Sequence, residues 1–127
     1  MVALDTNVAI ALLRGQTQLL QTANIDLAAC LLPVVVAGEL LFGARNSGRA
    51  VENLAAYRSF VYDLQPLLLD GLAAEHYAEI RLALKQKGRP IPDNDMWIAA
   101  ICRANEVPLL TYDRHFTEVP GLALIAT

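Results

Sequence analysis

The chain is poor in the residues that staple small proteins together. Its only cysteines, Cys30 and Cys102, belong to no Cys-x-x-Cys or Cys/His cluster. That argues against a disulfide framework. Both thiols sit among apolar neighbours and read as buried and reduced, as expected of a cytosolic protein. Its two histidines, His76 and His115, have no ligand-spaced partner, which argues against zinc. Long apolar runs are also missing. The longest, Leu27 to Gly38, has twelve residues and contains Pro33, too short and too interrupted to cross a bilayer. No basic segment precedes the first apolar run, so no secretory leader and no membrane association are expected. Repeats, low-complexity stretches and linkers are absent, which leaves one domain over residues 1–127.

An excess of positive charge is lacking too. The net charge is −3, which at first argues against a nucleic-acid partner. Four acids, however, stand apart from the rest: Asp5, Glu39, Asp95 and Asp113. Setting them aside leaves nine acids against ten Lys and Arg, so charge alone decides nothing. What the chain has in abundance is apolar surface, 55% of residues with a mean hydropathy of +0.37. A domain of this size buries roughly two-thirds of its unfolded surface. The surplus predicts an apolar patch covered by a second copy or by another protein.

Strand-like and helix-like segments alternate along the chain. Strands are expected at Val2 to Asp5, Leu32 to Val36, Leu64 to Leu69, Val107 to Thr111 and Leu122 to Ile125. Between them lie a short helix capped by Asn7, a helix over Gln16 to Ala28, and one carrying Glu39 that ends near Gly43. A helix capped by Ser47 and a long one capped by Asp70 and stopped at Gly88-Arg89-Pro90 come next, then one from Asp95 to Asn105. This alternation predicts a three-layer α/β/α domain with a mostly parallel, roughly five-stranded sheet.

In such sheets ligands bind beyond the carboxyl ends of the strands. Asp5, Glu39 and Asp113 each follow a strand, and the Asp95 helix runs back antiparallel, so its N-terminus returns to the same edge. Carboxylates brought together repel unless cations neutralise them, and hard, oxygen-seeking ions such as Mg2+ or Mn2+ fit best. Each acid also has a plainer reading. Asp5 can form a turn, Glu39 can sit in a helix's first turn, Asp95 can cap a helix and Asp113 can be a loop acid. Thr6 and Thr111 are candidates to orient a carboxylate. Asp93 reads as solvated and Trp97 as a packing residue. His115 follows Asp113 closely enough to approach a substrate, but reads first as a loop residue. Lys85, Lys87, Arg89, Arg45 and Arg49 are available for phosphates but read equally as solvated helix ends.

Four segments in order carry a family likeness: Leu4-Asp5-Thr6-Asn7, Gly38 to Ala44, Pro92 to Ala100 and Leu110 to Phe116. In them the chain resembles the PIN-domain family, specifically VapC-type toxins of bacterial type II toxin–antitoxin pairs. The resemblance runs nearly end to end. It places the family's three most regular acids on Asp5, Glu39 and Asp95, with a more variable fourth on Asp113. It implies a cytoplasmic, Mg2+- or Mn2+-dependent endoribonuclease acting on tRNA or other structured RNA through a metal-activated water. It also implies a homodimer inhibited by a small cognate antitoxin. The competing reading is a non-catalytic binding module with a structural cation in the acidic pocket. A phosphoacceptor receiver domain is excluded by the unpaired Asp5 and the lack of any lysine after Lys87. A haloacid-dehalogenase-like phosphatase is excluded by Asn7 where a second Asp is needed.

Overall fold

The first three apolar residues after Met1 already show the sheet's character. Val2, Ala3 and Leu4 form β1 and are buried on both faces, which requires helices above and below. A computed structural model describes residues 1–125. Its sheet has five strands, β1 (Val2–Leu4), β2 (Cys30–Pro33), β3 (Gln65–Leu67), β4 (Leu109–Leu110) and β5 (Leu124–Ile125), every neighbouring pair parallel. The spatial order is β3-β2-β1-β4-β5. Chain direction reverses its march across the sheet at β1, so the crevice for a ligand lies beyond the carboxyl ends of β1 and β4.

Six helices cover the sheet: α1 (Thr6–Leu13), α2 (Gln18–Thr22), α3 (Val34–Arg45), α4 (Ala50–Asp63), α5 (Gly71–Lys87) and α6 (Asp93–Ala104). The three-layer α/β/α arrangement expected from the sequence is what forms. Its core joins Leu4, Leu32, Leu109 and Leu110 of the sheet to Leu40, Ile80, Leu84, Ile98 and Ile101 of the helices and to Phe116, all essentially inaccessible. Asp70 caps α5 by accepting from Ala73 N, and Gly88 ends it in the left-handed conformation that glycine adopts without strain.

Several boundaries differ from expectation. The Leu32–Val36 strand stops at Pro33, and Val34 to Val36 open α3 instead. Val36, Leu40 and Ala44 recur every four residues and are all buried, so the helical stripe outweighs β-branched propensity. The Gln16–Ala28 helix breaks into α2 and a 3-10 turn at Leu27–Ala29, because Asn24 turns left-handed (φ 55°) and Asp26 caps the second piece. Asp5, not Asn7, caps α1. Ser47 donates to Ala44 O and accepts from Asn53, closing α3 instead of capping α4, which starts after Arg49.

Candidate metal centre

The last residue before α1 is held by both elements that meet at the crevice. Asp5 N donates to Leu110 O of β4 (3.0 Å), while Asp5 Oδ1 accepts from Thr6 N (2.8 Å). Its other oxygen, Oδ2, accepts from Thr111 Oγ1 at 2.6 Å. Thr111 Oγ1 in turn accepts from Asp113 N at 2.9 Å, so one hydroxyl links the acid after β1 to the acid after β4. Asp5 is only 4% exposed. Burial raises its carboxyl above the usual range. Thr111 and Thr6 hold it down, and the charges of Asp95 and Asp113 push it up again.

Asp95 is the third residue of α6, whose cap is Pro92, so the capping role open to it in the sequence is not what it performs. Its carboxylate faces the crevice, where Oδ2 lies 2.6 Å from His115 Nε2. Burial raises its carboxyl, His115 lowers it, and Asp113 raises it. Asp113 caps a 3-10 turn over Arg114–Glu118, and its Oδ1 accepts from His115 N at 3.2 Å and contacts His115 Nδ1 at 2.9 Å. One ligand atom each from Asp95, Asp113 and His115 lie within 4.8 Å of one another.

Glu39 comes from the middle of α3, not from a first turn, because α3 begins at Val34. Burial is the main reason its carboxyl is raised. The nearby Thr6 hydroxyl works against that without making a well-formed hydrogen bond, while Asp95 and Asp5 add to it. Yet neither Thr6 Oγ1 nor Glu39 Oε1, both buried, reaches a hydrogen-bond partner among the described residues. An unpaired carboxylate oxygen in such a position is one that a divalent cation would satisfy. The donor set is rich in carboxylate oxygen, as Mg2+ and Mn2+ require. The residues present therefore fit such an ion.

Sequence reasoning missed His115 as part of the cluster. Its only signal is the Asp-x-His spacing, which becomes informative once the 3-10 turn folds the ring back over Asp113. Asp93 stays outside the cluster, exposed and hydrogen-bonded by Tyr77 Oη. Trp97 packs face to face on Tyr77, with centroids 3.6 Å apart. His76 lies elsewhere and accepts from Arg103 Nε at 2.7 Å. Of the basic residues, Lys87 reaches Glu118 O and Arg49 lies near Glu52. Cys102 is an inert thiol, pushed up to about 12 first by burial and then by Asp5.

A parallel sheet in the order 3-2-1-4-5 with carboxylates grouped at its reversal point defines the class: the chain belongs to the PIN-domain family, whose profile matches residues 2–122. Its relatives narrow this to VapC-type proteins. It is 34% identical over 125 residues to ribonuclease VapC5 of Mycobacterium tuberculosis, covering 96% of this chain and 90% of that one. It is 31% identical over 121 residues to the tRNA(fMet)-specific endonuclease VapC of Shigella flexneri, covering 94% and 92%. The crystal structure of DNA-bound VapBC from Salmonella typhimurium superposes with a TM-score of 0.89 at 28% identity, covering 98% of this chain and 96% of that one.

Proposed function

We propose that this protein is the toxin of a type II toxin–antitoxin pair, an endoribonuclease that hydrolyses RNA phosphodiester bonds with Mg2+ or Mn2+. The observation that supports this reading is the grouping of ligand atoms of Asp95, Asp113 and His115 within 4.8 Å, with Asp5 and Glu39 outside that group but near enough to feel the charge of Asp95. These four residues would hold the ion. A divalent ion there supplies charge neutralisation for the scissile phosphate and lowers the pKa of an attacking water.

The chain's own part is to fix the carboxylates. Thr111 and the Thr6 amide clamp Asp5, the first turn of α6 presents Asp95, and the 3-10 turn holds Asp113. No side-chain nucleophile is required. The relatives named ribonucleases support RNA as the substrate, and structured RNA such as tRNA is the class they suggest.

The solved relatives are VapBC complexes, which supports a cognate antitoxin as partner. An apolar groove lined by Val34, Ala37, Leu41, Val61, Tyr62 and Pro66 is surface of the kind such a partner covers. Phe42, Val51 and Tyr62 are exposed, in line with the predicted surplus of apolar surface and with a homodimer. None of the described helices is long and apolar enough to cross a membrane.

The test is to express this chain alone and map new RNA 5′ ends. The purified protein is then assayed on the mapped RNA with Mn2+ or Mg2+, beside Asp5→Asn. Cleavage that needs the ion and disappears in Asp5→Asn, with the fold intact, is expected. Metal-independent cleavage, or full activity in Asp5→Asn, refutes the reading.

A further inference from the structure

His115 is placed as a ligand is placed, not as a bystander. Its two ring nitrogens face two different carboxylates, Nε2 toward Asp95 Oδ2 at 2.6 Å and Nδ1 toward Asp113 Oδ1 at 2.9 Å. The backbone holds the ring there, since His115 N itself donates to Asp113 Oδ1 at 3.2 Å and Asp113 caps the turn that carries it. The ring also leans on the fully buried Phe116, with centroids 5.1 Å apart. A surface histidine would not be restrained from so many directions.

Resting on the reading of the acids as a divalent-cation site, we infer that the ion replaces the proton now shared by His115 Nε2 and Asp95 Oδ2, their contact opening so that Nε2 becomes a nitrogen ligand beside Asp95, with Asp113 Oδ1 orienting the ring through Nδ1. A metal-binding histidine ordinarily donates its other ring N–H to a carboxylate, and that partner fixes both tautomer and ring plane. Asp113 is positioned for this role through Oδ1. The arrangement divides the labour of the four acids. Asp5 and Glu39 supply buried oxygens, whereas Asp95 shares the open side with an imidazole.

The consequence is a change in ion preference. Imidazole is a poor donor for Mg2+, which demands hard oxygen ligands, and a better one for first-row transition ions. The site therefore favours Mn2+ over Mg2+ beyond what carboxylates alone would give. His76 does not compete at this site, because it lies outside the cluster and is held by Arg103.

The direct test is pulsed electron paramagnetic resonance on Mn2+ bound to the full chain, with natural-abundance or 15N-labelled histidine. Nitrogen modulation on the Mn2+ signal is expected, changing to the 15N pattern on labelling and vanishing in His115→Gln. Calorimetry should show Mn2+ affinity falling on the order of tenfold in His115→Gln, with Mg2+ affinity nearly unchanged. The labelled wild-type measurement stands even if the variant folds poorly. Mn2+ bound without nitrogen coupling, or with coupling that persists in His115→Gln, overturns the inference and leaves the cation site standing. No Mn2+ binding at all overturns both.

Discussion

Thr111→Val probes the keystone of the site with little change in shape. The Thr111 hydroxyl donates to Asp5 Oδ2 at 2.6 Å inside a region where Asp5 is 4% exposed. A hydrogen bond to a charged group contributes roughly 1.5–3 kcal/mol, and its loss strands a buried carboxylate. The Asp113 amide also loses its acceptor, but it is half-exposed and can turn to water. We therefore expect a loss of about 2 kcal/mol at pH 7, a fall in Tm of roughly 6–8 °C for a chain of this size.

The sign with pH comes from the same bond. Thr111 favours the charged form of Asp5, so its contribution is present above the native pKa of Asp5 and fades as pH falls through it. Thr111→Ser, which keeps the hydroxyl, should lose only about 1 kcal/mol for the methyl group. Melts followed by circular dichroism at pH 7 and in mild acid, with Mn2+ calorimetry, provide the assay. Asp5 would lose its orientation in Thr111→Val, and Mn2+ affinity should drop roughly 10–100-fold. A variant that melts like the wild type and binds Mn2+ equally well refutes the claim that Thr111 organises the site.

Asp5→Asn removes a buried charge that repels Asp95 and Asp113, so without metal its Tm should equal or exceed that of the wild type; a clear fall would show that Asp5 is chiefly structural. Asp5, Glu39 and Asp95 all have raised native carboxyls, so the native state holds more protons than the unfolded chain just above their ordinary values of 3.8, 4.5 and 3.8. Stability of the metal-free protein should therefore decline as pH rises through that window, by up to about 1.4 kcal/mol per unit for each group, and Mn2+ should flatten the decline; urea titrations from pH 4 to 8 will tell. Arg103→Ala removes one guanidinium that joins His76, Glu79 and Pro120 O, and should cost about 2 kcal/mol in denaturant melts without changing Mn2+ affinity.

The route from sequence to candidate site was short where chain direction alone brings residues together. Asp5 ends an apolar run and Asp113 follows another, and parallel pairing of β1 with β4 brings those ends together whatever the detail between them. Glu39 was legible because it too follows a strand, and Asp95 because its helix runs back antiparallel and returns its N-terminus to that edge. The details that stayed hidden depend on competition among local preferences. Val34 to Val36 look like strand, yet the buried Val36, Leu40 and Ala44 stripe makes them helix, and this carries Glu39 deeper into α3. Ser47 and Asn7 are good capping residues that lost to geometry set by their neighbours. His115 could not be placed, because a 3-10 turn of five residues has no periodic signature and its ring position depends on Asp113 capping that turn.

The most direct measurement of the central claim is anomalous diffraction at the manganese edge from crystals grown with Mn2+. The account predicts a peak in the crevice beyond β1 and β4, within coordinating distance of Asp5 or Asp95 and bounded by Glu39 and Asp113. Fully ordered side chains around those four residues with no peak among them, while Mn2+ occupies other surfaces of the same crystal, would contradict it.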